Sequence, residues 1–238
     1  MNTYGKDYQK LYKLQDKFLH WWAGLGLPFY LTGETALGRF YLNHRFSEDL
    51  DFFTNADENY HKHITVLYNE IKKQFRVDSE KSLFGGDFTR IFITDSDTIL
   101  KIELVNDISS YIGMPAQSYF GRIDTPLNIL TNKLTAIVSR DEPKDFFDIM
   151  HLALNYSFSW LDIFNFAKNK AVINEIDIEM RLNSFPVSLL GDVDWHIDIP
   201  DLETLKENLS KISSDFILGK QNSLGRSNIP IGEAKPKS

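Results

Sequence analysis

One segment near the N-terminus constrains the fold more than any other, because it predicts a strand, a tight turn, a helix and a second strand in close succession. The apolar run at residues 27–32 suits a buried strand, Gly33 provides the turn, and residues 35–43 follow as a helix. In the next strand, Asp49 and Asp51 are two residues apart, so their side chains point to one face. This order is typical of an α/β fold with paired carboxylates beside a glycine turn.

The remainder of the first half predicts elements that extend this unit. In the second strand of a predicted hairpin, Lys101 and Glu103 share a face opposite Leu100 and Ile102. Glu103 therefore lies on the polar face of a mostly apolar strand. The predicted elements are helices at residues 4–23 and 59–75, and hairpin strands at residues 87–94 and 98–105 joined by the turn at residues 95–97.

The second half of the chain changes to a helical pattern. Residues 108–126 are rich in Gly, Pro, Ser and Tyr without clear periodicity, which favours a connection between domains. The predicted helices cover residues 127–139, 144–156, 159–171 and 201–218. The resulting domain organisation is an α/β domain at residues 1–110, a connection at 111–125, a helical domain at 126–218 and a flexible basic tail at 219–238.

Composition excludes several classes of function. The chain has no cysteine, which removes disulfides, thiolate metal sites and cysteine nucleophiles and favours a cytoplasmic location. It shows neither a signal-peptide core nor an apolar stretch long enough for a membrane span. The net charge of −7 argues against a broad nucleic-acid surface, although lysines at positions 6, 10, 13 and 17 and the basic tail form a local candidate for RNA contact.

The paired carboxylates suit the chemistry of nucleotidyl transfer. This reaction must neutralise a triphosphate and stabilise charge on the transferred phosphorus and on the departing pyrophosphate. Asp49 and Asp51 could bind Mg²⁺ or Mn²⁺, with Glu103 completing the metal site and accepting the hydroxyl proton. Gly33 lets backbone N–H groups approach phosphate at the start of a helix.

Two stretches together resemble a known family. LTGETALGRFYLNHRFSEDLDFF is similar to the signature of the AbiEii/AbiGii-type nucleotidyltransferases, which are toxins of type IV toxin–antitoxin and abortive-infection systems. TNKLTAIVSRDEPKDFFDI resembles later elements of the same family, so the resemblance spans residues 27–150. The first pattern falls on Gly33, Thr35, Ala36, Leu37, Arg45, Ser47, Asp49 and Asp51, and the second on Lys133, Arg140, Asp145 and Asp148.

The resemblance implies a polymerase β-like mixed sheet with flanking helices and a helical C-terminal domain. It implies a catalytic group of Asp49, Asp51, Glu103 and Lys133, in which the three acids bind metal. The implied nucleotide-binding residues are Gly33, Glu34, Thr35, Arg45, Ser47, Lys133, Asp145 and Asp148. The implied reaction moves NMP from an NTP to a tRNA 3′ end or to a protein hydroxyl. The resemblance also implies a cognate antitoxin protein that restrains this activity, and no association with a membrane.

The chain departs from the family pattern at three positions. Glu34 stands where a small residue is usual, and its carboxylate would repel a triphosphate unless it points away or meets a cation. Glu103 replaces a more usual Asp and keeps its chemistry, whereas Lys144 replaces Arg and lacks the planar guanidinium.

Other interpretations remain open from sequence alone. Glu103 and Lys133 could be ordinary surface residues, and Asp145 and Asp148 could be helix-start charges or structural partners of Arg140. The chain could also be a nucleotide- or antitoxin-binding module that lost turnover, with Glu34 as the reason. A third interpretation is a small-molecule nucleotidyltransferase that modifies a cationic drug such as an aminoglycoside.

Overall fold

The computed structural model describes residues 7–191, 193–198 and 201–237. Within these residues a mixed seven-stranded sheet has the order β3-β4-β5-β2-β1-β7-β6. The strands, numbered in chain order, are β1 (Tyr30–Thr32), β2 (Leu50–Asn55), β3 (Arg76–Phe84), β4 (Phe88–Asp95), β5 (Thr98–Asp107), β6 (Ala116–Ser118) and β7 (Gly121–Ile123). The expected α/β fold with a mixed sheet is confirmed.

Among the described residues, three α-helices belong to the first half of the chain and five to the second. In chain order they are α1 (Tyr8–Ala23), α2 (Gly33–Leu37), α3 (Tyr60–Gln74), α4 (Pro126–Ser139), α5 (Pro143–Asn155), α6 (Trp160–Lys168), α7 (Glu175–Ser184) and α8 (Leu202–Ile217). A π-helical turn (Gly38–Leu42) continues α2, and short 3₁₀ turns lie at Val187–Leu190 and Ile231–Glu233. The predicted helix at residues 35–43 thus starts two residues earlier, and the first residues of the helix predicted at 4–23 lie outside the described residues.

Alternation along β2 places the acidic and apolar side chains on opposite faces of the sheet. Leu50 and Phe52 are buried on one face, where the Trp22 ring of α1 lies 4.1 Å from that of Phe52. The Phe18 ring of the same helix is 6.1 Å from Phe52. Because burying these aromatic rings fixes the register of β2, Asp49 and Asp51 are held on the other face.

Two lysines of the predicted basic stripe are paired with acids, while Lys6 lies outside the described residues. The Nζ of Lys10 lies 3.0 Å from Asp97 Oδ2, and the Nζ of Lys17 lies 3.3 Å from Asp95 Oδ2. Both acids belong to the β4–β5 turn, which packs beside the helix. Their charges offset the lysines and weaken this face as a candidate RNA surface.

Sequence periodicity missed three of the described strands and one of the described α-helices. β3 alternates poorly because it is an edge strand with exposed polar residues, and it pairs antiparallel with β4. β6 and β7 are only three residues each and lie in the stretch predicted to be a connection, where β7 pairs in parallel with β1. α7 has a mostly exposed polar surface and was also not predicted. The stretch at residues 111–125 therefore contributes to the sheet, while the domain limits stay a prediction.

The segment predicted to be a flexible basic tail contacts the rest of the chain within the described residues 219–237, and its flexibility stays a prediction. The chain makes isolated bridges from Ser159 to Gln221 and from Ser157 to Pro230, and Ile231 is buried. The backbone N–H of Lys237 donates to the carbonyl of Phe40 at 2.6 Å. The basic composition of this segment concealed the apolar anchor at Ile231. Separately, in the described part of the chain no helix is long and apolar enough to cross a membrane.

Candidate active site

A cavity of about 620 Å³ lies between the polar face of the sheet and the helices α4 and α5. Strands β2 and β5 contribute Asp49, Asp51 and Glu103, and the turn before α2 contributes Gly33. On the opposite wall, α4 contributes Lys133 among other residues. The cavity therefore joins elements that are far apart in the sequence, at a size suited to a small ligand.

Three carboxylates meet on the sheet floor because of its register. β2 and β5 pair in parallel, with Asp51 directly opposite Glu103. On the other side of β2, Asp51 is opposite Thr32 of β1. Asp49 is two residues before Asp51 and shares its face. The predicted convergence of the three acids is what this register produces.

Lys101 lies inside this acidic group and was not predicted as a functional residue. Its Nζ is 2.8 Å from Asp49 Oδ2 and 3.5 Å from Glu103 Oε1. Glu103 also accepts a hydrogen bond of 2.7 Å from Arg90 Nε. The signal was present in the sequence, since Lys101 shares the polar face of β5 with Glu103. An internal cation thus offsets part of the repulsion between the acids.

The acidic environment changes the protonation of the two aspartates. Burial at the cavity floor, together with the charges of Glu34, Glu103 and Asp49, raises the pKa of Asp51 to about 7. Burial also raises the pKa of Asp49, although its hydrogen bond to Lys101 opposes that effect. A cation bound between the two side chains would favour their ionised forms.

The donor set fits a hard divalent metal ion. Carboxylate oxygens are the ligands that Mg²⁺ prefers, and Asp49, Asp51 and Glu103 supply them from two adjacent strands. Among the described residues, no group of three acidic or histidine side chains is already gathered in a metal-binding arrangement. Two of the three acids, Asp49 and Glu103, instead contact the ammonium of Lys101.

Gly33 makes the close approach of the turn to the carboxylates possible. Its φ of 66° lies in the left-handed region, and a Cβ there would come within 3.0 Å of Asp51 Oδ2. Any larger residue would press against the carboxylate that the site needs. The turn thus brings backbone and Asp51 together as expected.

Glu34 meets cations rather than projecting freely into the cavity. Its Oε2 lies 3.0 Å from Arg45 Nη1 and 3.6 Å from Lys144 Nζ. Burial alone would raise the pKa of Glu34, but Arg45, Lys133 and Lys144 lower it to about 2. The acidic residue that departs from the family pattern, Glu34, is therefore neutralised by Arg45 and Lys144.

Behind the cavity wall, a buried network of charges joins the two halves of the chain. Arg45 donates from Nε and Nη2 to the two oxygens of Asp148 at 2.7 and 2.8 Å. The Nζ of Lys133 lies 2.7 Å from both Asp145 Oδ1 and Asp148 Oδ2. Arg140 Nε donates to the other oxygen of Asp145 at 2.7 Å. Opposite charges in such close contact make burial tolerable.

The structure separates the predicted nucleotide-binding residues into two groups. The residues that line the cavity are Gly33, Glu34, Ser47 and Lys133. Those buried behind its wall are Thr35, Arg45, Asp145 and Asp148. Thr35 hydrogen-bonds Ser47 Oγ at 2.7 Å and also the Asp49 carbonyl. The geometry does not support direct phosphate contact for the second group, because these four residues do not line the cavity.

The fold is similar to that of solved nucleotidyltransferase structures. One similar solved structure is MenT4, a nucleotidyltransferase toxin from Mycobacterium tuberculosis H37Rv, with a TM-score of 0.51 and 13% identity over 89% of this chain and 84% of that chain. Another is JHP933 from Helicobacter pylori, with a TM-score of 0.57 and 23% identity over 89% of this chain and 92% of that chain. At these identities the likeness concerns the fold.

The particular family follows from the sequence itself. Residues 20–176, more than half of the chain, match the family described as "Nucleotidyl transferase AbiEii toxin, Type IV TA system". The chain therefore belongs to the AbiEii nucleotidyltransferase toxins, and the predicted resemblance is confirmed. No curated protein sequence matches the chain significantly.

Proposed function

We propose that this toxin transfers NMP from a nucleoside triphosphate to a hydroxyl group of RNA, at a tRNA 3′ end, or of a protein. The observation that carries the proposal is the convergence of three acids beside the Gly33 turn. Asp51 and Glu103 are paired across adjacent strands, and Asp49 shares their face. Transfer to a hydroxyl requires this kind of acidic centre next to a place for phosphate.

Asp49, Asp51 and Glu103 would hold Mg²⁺ or Mn²⁺. When bound, the metal would neutralise phosphate charge and favour the ionised form of the attacking hydroxyl. The backbone at Gly33 and the cations that line the helical wall, Lys133, Arg140 and Lys144, would bind the phosphates. Glu103 would accept the hydroxyl proton.

The buried group would position these residues rather than touch the nucleotide. Asp148 accepts from both Arg45 and Lys133, so it links the segment after α2 to α4 and α5. Thr35 holds Ser47 and the backbone of Asp49, which orients the strand that carries the acids. Preorganisation of this kind lets the cavity hold phosphates without rearranging its walls.

The biological setting is proposed from family membership. A protein of this toxin family is expected to act in the cytoplasm and to have a cognate antitoxin that restrains it. Such a toxin would halt growth of its host, and in an abortive-infection role it would limit phage.

The test is transfer of label from each of the four α-labelled nucleoside triphosphates into total RNA or protein extract, with Mg²⁺. We expect labelling by the wild type and none by Asp51→Asn or Asp49→Asn. Cells that express either variant should also escape the growth arrest expected of the wild type. Asp95→Asn is the matched control, because Asp95 is an exposed acid of the β4–β5 turn. Unchanged labelling in both active-site variants would rule out the assignment.

The same experiment separates the alternatives. Tight nucleotide binding without any transfer would indicate a binding module. Transfer to an aminoglycoside, without toxicity on overexpression, would indicate a small-molecule nucleotidyltransferase.

A further inference from the structure

The cavity has two chemically different ends. Gly33 and Lys144 contribute to a charged part of the lining, whereas β2 and β5 beyond the acids contribute the apolar side chains of Phe53 and Val105, joined by Ile129 of α4 and by Asp107 at the end of β5. Phe53 and Val105 each follow a catalytic acid by two residues, so they lie roughly 7 Å farther along the sheet. Apolar walls of this kind suit the flat faces of an aromatic ring system.

One cation lies among these apolar walls. The Nζ of Lys170, just beyond α6, lies 2.7 Å from Asn128 Oδ1 and 2.7 Å from Asn132 Oδ1. Lys170 lines the cavity, and the oxygens that accept its hydrogen bonds belong to neutral amides. The carboxylates of Asp124 and Asp107 act on its charge through the electrostatic field, without a described hydrogen bond to the ammonium.

This arrangement leaves Lys170 able to make another contact. An ammonium has three N–H donors, and the two asparagine oxygens account for two of them. Burial lowers the pKa of Lys170, with Asp124 and Asp107 opposing that effect, so its charged form lacks full solvation. An acceptor atom from a ligand would relieve this deficit.

We propose that the apolar end binds the base of the nucleoside triphosphate and that Lys170 donates to an exocyclic carbonyl oxygen of that base. Bases with such an oxygen would then be preferred over adenine, whose exocyclic amino group is a donor. The inference rests on the proposed function. It concerns the triphosphate's own base because the phosphate-binding cations line the other end of the same cavity.

The test compares two purine nucleotides that differ at the exocyclic position. ITP carries an oxygen where ATP carries an amino group, and GTP, CTP and UTP extend the series. With Mg²⁺ and calorimetry, we expect the wild type to bind ITP at least about tenfold more tightly than ATP. Lys170→Met should weaken ITP binding by about tenfold and leave ATP binding nearly unchanged.

Two further variants sharpen the comparison. Lys168→Met removes the same charge from an exposed position over the Phe164 ring, and it should keep the ITP preference. Asn132→Asp would place a carboxylate beside Lys170 and should reduce the preference without removing the lysine.

The outcomes separate this inference from the proposed function. A preference for ITP that survives both Lys170→Met and Asn132→Asp would overturn the base assignment alone. An equal loss of all five nucleotides in Lys170→Met would also overturn it, since that result assigns Lys170 to the phosphates. A wild type that binds none of the nucleotides would overturn the proposed function together with this inference.

Discussion

At the scale of single residues, Asp51 couples metal binding to pH. Its pKa is raised to about 7 by burial and by neighbouring acids, and a metal ion needs the ionised carboxylate. We predict that metal affinity falls about tenfold for each pH unit below 7 and levels off above it. Titration with Mn²⁺ between pH 5.5 and 8.5, followed by electron paramagnetic resonance, measures this dependence.

The same shift acts on stability in the metal-free protein. Between the ordinary pKa of 3.8 and about 7, the folded chain keeps a proton at Asp51 that the unfolded chain releases. Its contribution to stability is therefore present at low pH and declines as the pH rises through that window. In Asp51→Asn this pH dependence of stability should vanish. For the wild type, a metal affinity that stays constant from pH 6 to 8 would contradict the raised pKa of Asp51.

Lys101 provides a second prediction at this scale. Because its ammonium contacts both Asp49 and Glu103, Lys101→Met should leave three acids without their internal cation. We expect a lower melting temperature in EDTA and a larger stabilisation by added Mg²⁺ than in the wild type. Lys10→Met, which removes an exposed ion pair with Asp97, is the control. Equal Mg²⁺ responses in the two variants would argue against this role.

At the scale of elements, the turn between β1 and α2 depends on Gly33. Gly33→Ala would place a Cβ 3.0 Å from Asp51 Oδ2 and would also force alanine into the left-handed region. Gly26→Ala is a matched control, since its φ is 63° and nothing lies within 4 Å of an added Cβ. Both changes should destabilise the protein by about 1–2 kcal/mol through backbone strain.

The two glycine variants should differ in function. Only Gly33→Ala should also weaken metal and nucleotide binding, because only its methyl group contacts Asp51. Chemical denaturation measures the shared cost, and calorimetry with Mg²⁺ and GTP measures the difference. If the two variants bind equally well, then the close approach of Gly33 has no role in the site.

The buried charges between α2, α4 and α5 predict sensitivity to acid. Burial alone would raise the pKa of Asp148, but the charges of Arg45 and Lys133 hold it well below its usual range. The pKa of Glu34 is likewise lowered, to about 2. Stability from lowered carboxyl pKa values is complete above their ordinary range and is lost as the pH falls toward 2. Urea midpoints should therefore drop steeply below about pH 4.5.

Asp148→Asn tests the same network at neutral pH. It leaves Arg45 and Lys133 buried with an incomplete set of counter-charges, which costs about 3–5 kcal/mol in comparable cases. Asp141→Asn, which affects an exposed pair with Arg181, should change stability by less than about 1 kcal/mol. Similar losses in the two variants would contradict the buried role of Asp148.

Periodicity predicted the elements that carry the chemistry and missed those that lack a local pattern. β2 and β5 alternate cleanly between apolar and polar residues, so the shared face of Asp51 and Glu103 followed from sequence. β6 and β7 are too short to alternate, and they form because β1 offers a partner. Likewise, the family resemblance predicted Arg45 as a nucleotide-binding residue, but its burial against Asp148 depends on tertiary packing.

At the scale of the whole molecule, the C-terminal segment ties the two halves together. It forms β-bridges to Ser157 and Ser159, just before the start of α6. The 3₁₀ turn at Ile231–Glu233 packs against α4. Farther on, Lys237 donates to Phe40, in the π-helical turn that follows α2. This segment therefore contacts both the helical wall of the cavity and the N-terminal half.

Ile231 is the anchor of that segment, and Ile229 is a matched control two residues away. Ile231 is 4% exposed and Ile229 is 51% exposed. Ile231→Ala should lower the free energy of unfolding by about 2–5 kcal/mol through lost burial and a cavity. Ile229→Ala should change it by no more than about 0.5 kcal/mol.

Because Leu127 of α4 lies 3.8 Å from the Cβ position of Gly232 beside the anchor, release of the segment should also expose the start of α4. Hydrogen exchange at residues 126–133 would then accelerate in Ile231→Ala alone, whereas equal exchange in both variants would mean that the segment does not support the cavity wall.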